Sequence, residues 1–262
     1  MQRREFLQAS VTTTTAAAAS AAGGLAVAAP APGTSRELYE WRTYRLSDKS
    51  KQAKLHDYLK SAALPAWQRI GLGPVGAFIE IGPEATPSVH VLLVYPTPDS
   101  LASSREALEQ DAEYKKAAAD YLATKKEDPA FDRIESSLLI AFAGAPKITP
   151  RGKKPRVLEL RTYENHGEDR ARAKVDMFND GEIEIFPECG FENVFFGETL
   201  VGSNLPNLKY MLAAPDMPAN EAGWKKFLAH PDFRRMIADP KYANTEPKIT
   251  KLFLEPTDYS QV

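Results

Sequence analysis

The sequence predicts an α+β protein: two tandem ferredoxin-like βαββαβ repeats whose sheets pack against each other as a barrel. Three observations predict it. Glu40-Trp41-Arg42-Thr43-Tyr44 returns as Glu159-Leu160-Arg161-Thr162-Tyr163, 119 residues later. Later landmarks keep nearly that spacing, with Val94 and Leu212 118 apart and Tyr114 and Phe233 119 apart, so the match runs through most of a duplicated unit. Each unit also reads strand, helix, strand, strand, helix, strand, the order of the split βαβ motif. That motif gives a four-stranded antiparallel sheet with both helices on one face, so the other face must be covered. One chain with two such units can cover both by closing sheet on sheet.

Composition sets wide bounds. The chain has 262 residues, 43% hydrophobic and 26% charged, as in ordinary globular proteins. A net charge of −2 gives no bulk electrostatic case for nucleic acid or an anionic membrane as partner. A single cysteine, Cys189, excludes an internal disulfide and multi-cysteine metal sites.

The first segment reads as an export signal rather than fold. Arg3-Arg4 is followed by Phe6-Leu7, then a weakly apolar Ala/Thr/Gly stretch to about Ala29, and Ala26-Val27-Ala28 offers small residues to a signal peptidase. Residues 1–29 therefore resemble a twin-arginine (Tat) signal peptide, which predicts a periplasmic or secreted protein. The stretch is too soft for a membrane span, and no cysteine stands just after the cleavage region to carry a lipid, so no membrane anchor is expected.

The first repeat is expected over 36–148. Leu38 to Tyr44 alternates as a strand does. Ser47 or Asp48 caps a helix to about Ile70, in which Pro65 demands a kink or break. Val75 to Ile81 and the branched run Val89 to Tyr95 are the middle strands. Asp99 or Ser100 opens a second helical region, and Ser137 to Phe142 is the fourth strand. Pro150, Gly152 and Pro155, with Arg151, Lys153 and Lys154, make a solvated linker. The second repeat is expected over 156–258. Its strands are Val157 to Tyr163, Glu192 to Gly197, Leu208 to Ala213 and Ile249 to Leu254, and its helices run over Glu168 to Phe186 and around Trp224 to Phe233.

The doubled Glu-x-Arg-Thr-Tyr strand, the apolar Val89–Tyr95 strand and His230-Pro231-Asp232-Phe233 resemble the NIPSNAP family over about residues 36–258. The resemblance implies the dimeric α/β barrel superfamily, with two copies per chain. It carries over no catalytic residues and no cofactor. The helical motif is clean only in the second half, since the first has Asp111-Ala112-Glu113-Tyr114.

Alternation in the opening strands selects the candidate site. Tyr39 and Trp41, matched by Leu158 and Leu160, are expected against the helices. The opposite face carries Glu40, Arg42 and Tyr44, then Glu159, Arg161 and Tyr163, and is expected to face the barrel interior. Unpaired ions are costly there, so these groups either pair with one another or line a wet pocket. An Arg fork suits a carboxylate or phosphate ligand. His166, in the loop after the second motif, is the histidine placed to reach a barrel mouth. With no His-x-His or Glu-x-x-His among four histidines, no metal site is expected. Cys189 lies between Phe186 and Phe191 and is expected to be buried and inert. Trp67 and Trp224 read as core or interface aromatics.

Three functions follow from these readings. One is an exported protein that binds a small ligand in the barrel interior. Another is a cofactor-independent monooxygenase or isomerase. The third is a structural or interaction module whose charged strand is only a salt-bridge network. Assembly with further copies is left open.

Overall fold

A computed structural model describes residues 35–148, 150 and 156–262. The export signal expected over residues 1–29 and most of the inter-repeat linker lie outside them. The described residues form one compact unit.

The first repeat runs β1 (Leu38–Arg45), α1 (Lys49–Tyr58), α2 (Leu64–Arg69), β2 (Gly76–Glu80), β3 (Val89–Tyr95), α3 (Pro98–Gln110), α4 (Ala112–Ala117), α5 (Ala119–Leu122) and β4 (Arg133–Ala141). The second runs β5 (Val157–Glu164), α6 (Glu168–Met177), α7 (Ile183–Glu188), β6 (Glu192–Val201), β7 (Asn207–Ala214), α8 (Met217–Ala229), α9 (Pro231–Ala238) and β8 (Lys248–Pro256). Among the described residues no helix is long and apolar enough to cross a membrane.

Local chemistry explains the boundaries. Asp48 caps α1 by accepting from the Ser50 and Lys51 amides. Thr97, rather than Asp99 or Ser100, caps α3, in a capping box with Ser100. The first long helix is broken by a π-helical segment, Leu59–Ala63, and Pro65 then sits in the first turn of α2, where no amide is needed. The second repeat carries the same device at Phe178–Glu182, again 119 residues on. β4 begins several residues earlier than the apolar pattern indicates, because Arg133 to Ser136 pair with β1 although they are exposed.

The eight antiparallel strands close a barrel in the order β1-β3-β2-β8-β5-β7-β6-β4. Its seams, β2 with β8 and β4 with β6, join one repeat to the other. This is the tandem ferredoxin-like barrel that the repeat predicts.

The two faces of the opening strands are the reverse of the expectation. Tyr39, Trp41, Leu158 and Leu160 fill the lumen with Phe78, Phe195 and others. Trp41 stacks on Phe78 and Phe195 at 5.8 and 6.2 Å between ring centroids. Ile148 and the C-terminal Val262 join this cluster at one end. Glu40, Arg42, Tyr44, Glu159, Arg161 and Tyr163 alternate with these residues and so lie on the helix-covered side, where Tyr44 packs with Leu55 and Trp67, and Tyr163 with Phe178 and Phe186. In a barrel whose outer face carries helices, both faces are covered, and alternation alone cannot rank them. The aromatic-packed lumen has few partners for a charge. The helix side supplies hydroxyl, amide and indole donors.

Candidate functional site

The two copies of the motif share a strand geometry and differ in what surrounds them. In the first repeat Arg42 makes a two-pronged pair with Glu40, Nε to Oε1 and Nη2 to Oε2, both 2.9 Å, while Nη1 donates to Tyr44 at 3.3 Å. Glu40 also accepts from Ser136 at 2.6 Å and Tyr95 at 2.9 Å. Burial works against its charge, but Arg42, Ser136 and Tyr95 hold its carboxyl below the usual range. All three guanidinium nitrogens are engaged, so this copy is a closed network.

In the second repeat, helix α8 intervenes. Asn220 Nδ2 and Trp224 Nε1 donate to Glu159 Oε2 at 2.8 and 2.5 Å. Arg161 is left one bond to Glu159, Nε to Oε1 at 2.7 Å, and a long one to the Tyr163 hydroxyl at 3.5 Å. Its Nη2 bonds no described residue. The Trp224 ring lies flat enough against the guanidinium that its centroid is 3.3 Å from Cζ. Burial opposes the charge of Arg161, yet the oxygens of Tyr210, Tyr163 and Glu159 hold its pKa above the ordinary value. Tyr210 donates to Tyr163 at 2.7 Å beneath it.

A second buried pair completes this side. Lys174, in α6, donates to Glu182 at 2.9 Å across the π-helical segment. Gly181, at φ 148°, makes the turn there, in a region side-chain-bearing residues rarely enter. Glu182 is wholly buried, and burial outweighs Lys174 and Arg161 to raise its carboxyl pKa.

These groups border a cleft of about 710 Å³ between the second sheet and its helices. Arg161 and Tyr163 line the sheet side, Trp224 and Phe233 the helix side, and Lys174 and Glu182 also border it. The arrangement offers an apolar, aromatic slot with a cationic edge.

The remaining candidates fall elsewhere. His166 lines a separate surface recess with Glu168, Asp169 and Asn244, not this cleft. Cys189 is buried, and burial raises its thiol pKa. Sequence reasoning missed Lys174, Glu182 and Asn220 and read Trp224 as a core or interface aromatic. The spacing of 119 holds the signal that finds them. Lys174 and Glu182 stand where the first repeat has Leu55 and Ala63, both core residues, and Trp224 stands where it has the exposed Arg105.

The sequence matches the NIPSNAP family over residues 39–146 and 158–261. The chain belongs to the NIPSNAP family. A comparison with curated proteins gave no match. Among solved structures, the NIPSNAP chain is similar to a protein of Fusobacterium nucleatum provisionally named a monooxygenase, at TM-score 0.55 and 9% identity over 85% of this chain and 93% of that one. It is also similar to a protein of Lactobacillus acidophilus provisionally given the same name, at TM-score 0.57 and 10% identity over 84% and 94%. A third is an anthrone oxidase-like protein, at TM-score 0.53 and 10% identity over 86% and 92%. At these identities the likeness shows the barrel fold.

Proposed function

We propose that this NIPSNAP protein binds a small aromatic or apolar ligand carrying an anionic oxygen group in the cleft of its second repeat. The observation that supports this reading is the unspent edge of Arg161. Its counterpart Arg42 uses all three nitrogens within the protein, whereas Asn220 and Trp224 occupy the Glu159 oxygen that would complete the same fork. A guanidinium so placed, beside aromatic walls, suits a planar carboxylate or phosphate. The site thus lies outside the barrel lumen, under the helices. The monooxygenase and oxidase names of the structural neighbours pass no redox step to these residues, and the reading is of binding.

Titration with 8-anilinonaphthalene-1-sulfonate, an aromatic sulfonate that brightens in apolar sites, tests it. Arg161→Gln is expected to weaken binding about tenfold or more, the worth of one charge-assisted bond, and Arg42→Gln to leave it unchanged. Equal effects of the two variants would remove the proposal.

We further propose that the protein is exported by the Tat route, on the strength of Arg3-Arg4, Phe6-Leu7 and the Ala26-Val27-Ala28 stretch.

A further inference from the structure

The barrel lumen opens at the end opposite Ile148 and Val262 into a cavity of about 550 Å³. Trp41, Leu160 and Leu252 line its apolar part, while Thr43, His90, Thr162 and Lys209 are among its polar residues. Here too the repeats put matched groups in matched places. Thr43 pairs with His90 across β1 and β3, and Thr162 with Lys209 across β5 and β7, in the same register. Thr43 Oγ1 lies 3.0 Å from His90 Nδ1, and Lys209 Nζ donates to Thr162 Oγ1 at 3.0 Å.

The copies differ at the next partner. His90 Nε2 meets Glu80 Oε1 at 2.9 Å. Phe78 faces His90 and Gly197 faces Lys209, so two residues along each strand Glu80 corresponds to Thr199. Thr199 is turned to Asn207, its hydroxyl donating at 2.6 Å. Lys209 therefore lacks the carboxylate that its counterpart has, and no ion pair to it is present among the described residues. The other acidic groups at this mouth are committed: Glu135 to Arg45 at 3.0 Å and Glu164 to Lys248 at 3.3 Å. Burial lowers the Lys209 pKa, with Glu164 only partly opposing it. A sheltered ammonium held by one hydroxyl has an unmet need for an anion.

We infer that the barrel mouth is a second binding site, in which a small organic carboxylate sits on Lys209 and Thr162 with its apolar body against Trp41, Leu160 and Leu252. The ligand's carboxylate takes toward Lys209 the part that Glu80 takes toward His90. The site is separate from the Arg161 cleft and does not depend on it.

Benzoate is a suitable probe, measured by calorimetry on the full chain. Arg161→Gln is expected to leave the Lys209-dependent binding in place, and in that background, where the cleft no longer competes for benzoate, Lys209→Met is expected to weaken binding at least about tenfold. Lys209→Arg, which keeps the charge, should retain it. In the unaltered protein benzoate should also shield Lys209, but not the exposed Lys116, from acetylation by acetic anhydride, read by peptide mass spectrometry. This second measurement needs no variant to fold. The inference is overturned if about 10 mM benzoate gives no binding, well above a weak millimolar Kd. It is equally overturned if Lys209→Met in the Arg161→Gln background binds as before, or if Lys209 is acetylated equally with and without benzoate.

Discussion

Arg161 and Trp224 are joined twice over: the guanidinium carbon stands 3.3 Å from the indole centroid, and both side chains hydrogen-bond the same Glu159 carboxylate from opposite oxygens. The tryptophan therefore both buttresses the arginine and takes away half of its counter-ion. Trp224→Phe keeps an aromatic wall and deletes one of three donors to a buried carboxylate. It is expected to cost about 1–3 kcal/mol in urea denaturation. Asn220 still donates to Glu159 Oε2 in that variant, so only Trp224→Phe combined with Asn220→Ala frees the oxygen for Arg161, and sulfonate binding at the cleft should weaken in the double variant.

Lys174 and Glu182 form a buried pair where the first repeat has Leu55 and Ala63. Lys174→Leu alone strands Glu182 and is expected to cost about 3–5 kcal/mol. Because burial favours the protonated acid, that loss should grow as pH rises: the folded state holds a proton that the unfolded state releases. The double change Lys174→Leu with Glu182→Ala restores the first-repeat pattern and should recover most of the loss. The coupling is measured by a double-mutant cycle in urea.

The acid limb of stability should be carried in part by Glu40 and Glu80. Burial opposes both charges, but bonds from Arg42, Ser136 and Tyr95 in one case, and from His90 and Thr86 in the other, lower both pKa values from 4.5. A lowered folded pKa gives stability that is complete above the unfolded value and is lost as pH falls through the folded one. Urea midpoints compared at about pH 6 and about pH 3 should show this fall, and Glu40→Gln should flatten it. An unchanged slope in Glu40→Gln would remove Glu40 from that role.

Export through the Tat route predicts that replacing Arg3-Arg4 by Lys-Lys keeps the protein in the cytoplasm, with its precursor mass unprocessed. Fractionation and intact-mass measurement check both. Continued appearance of processed protein outside the cytoplasm would refute the route.

Element order, the duplication and the packing of two sheets into a barrel follow from features that sequence displays directly: period-two runs such as Val89 to Tyr95, Pro and Gly punctuation, and a fixed spacing. The site was half legible. Glu159, Arg161 and Tyr163 are brought together at the cleft, but alternation assigned them to the wrong side of the sheet. It records that Trp41 and Arg42 face apart. It does not record which side is drier when helices cover one face and a second sheet the other. Lys174, Glu182 and Asn220 lie on helices and meet Arg161 or Glu159 only through the fold, so no local motif announces them. Their mark is a mismatch between the repeats, polar where the first copy is apolar. The π-helical segments left no such trace, since the Pro65 signal for a break falls just after the real one.

The barrel's covalent continuity has a consequence for its symmetry. A ring assembled from two identical half-chains must carry every feature twice, so a polar substitution in the core of one half would burden the other as well. With β2 sealed to β8 and β4 to β6 inside a single polypeptide, the two halves are free to differ. One keeps Leu55 and Ala63 in its core. Its twin admits Lys174, Glu182 and Trp224, and the cost of burying that ion pair falls on one half alone.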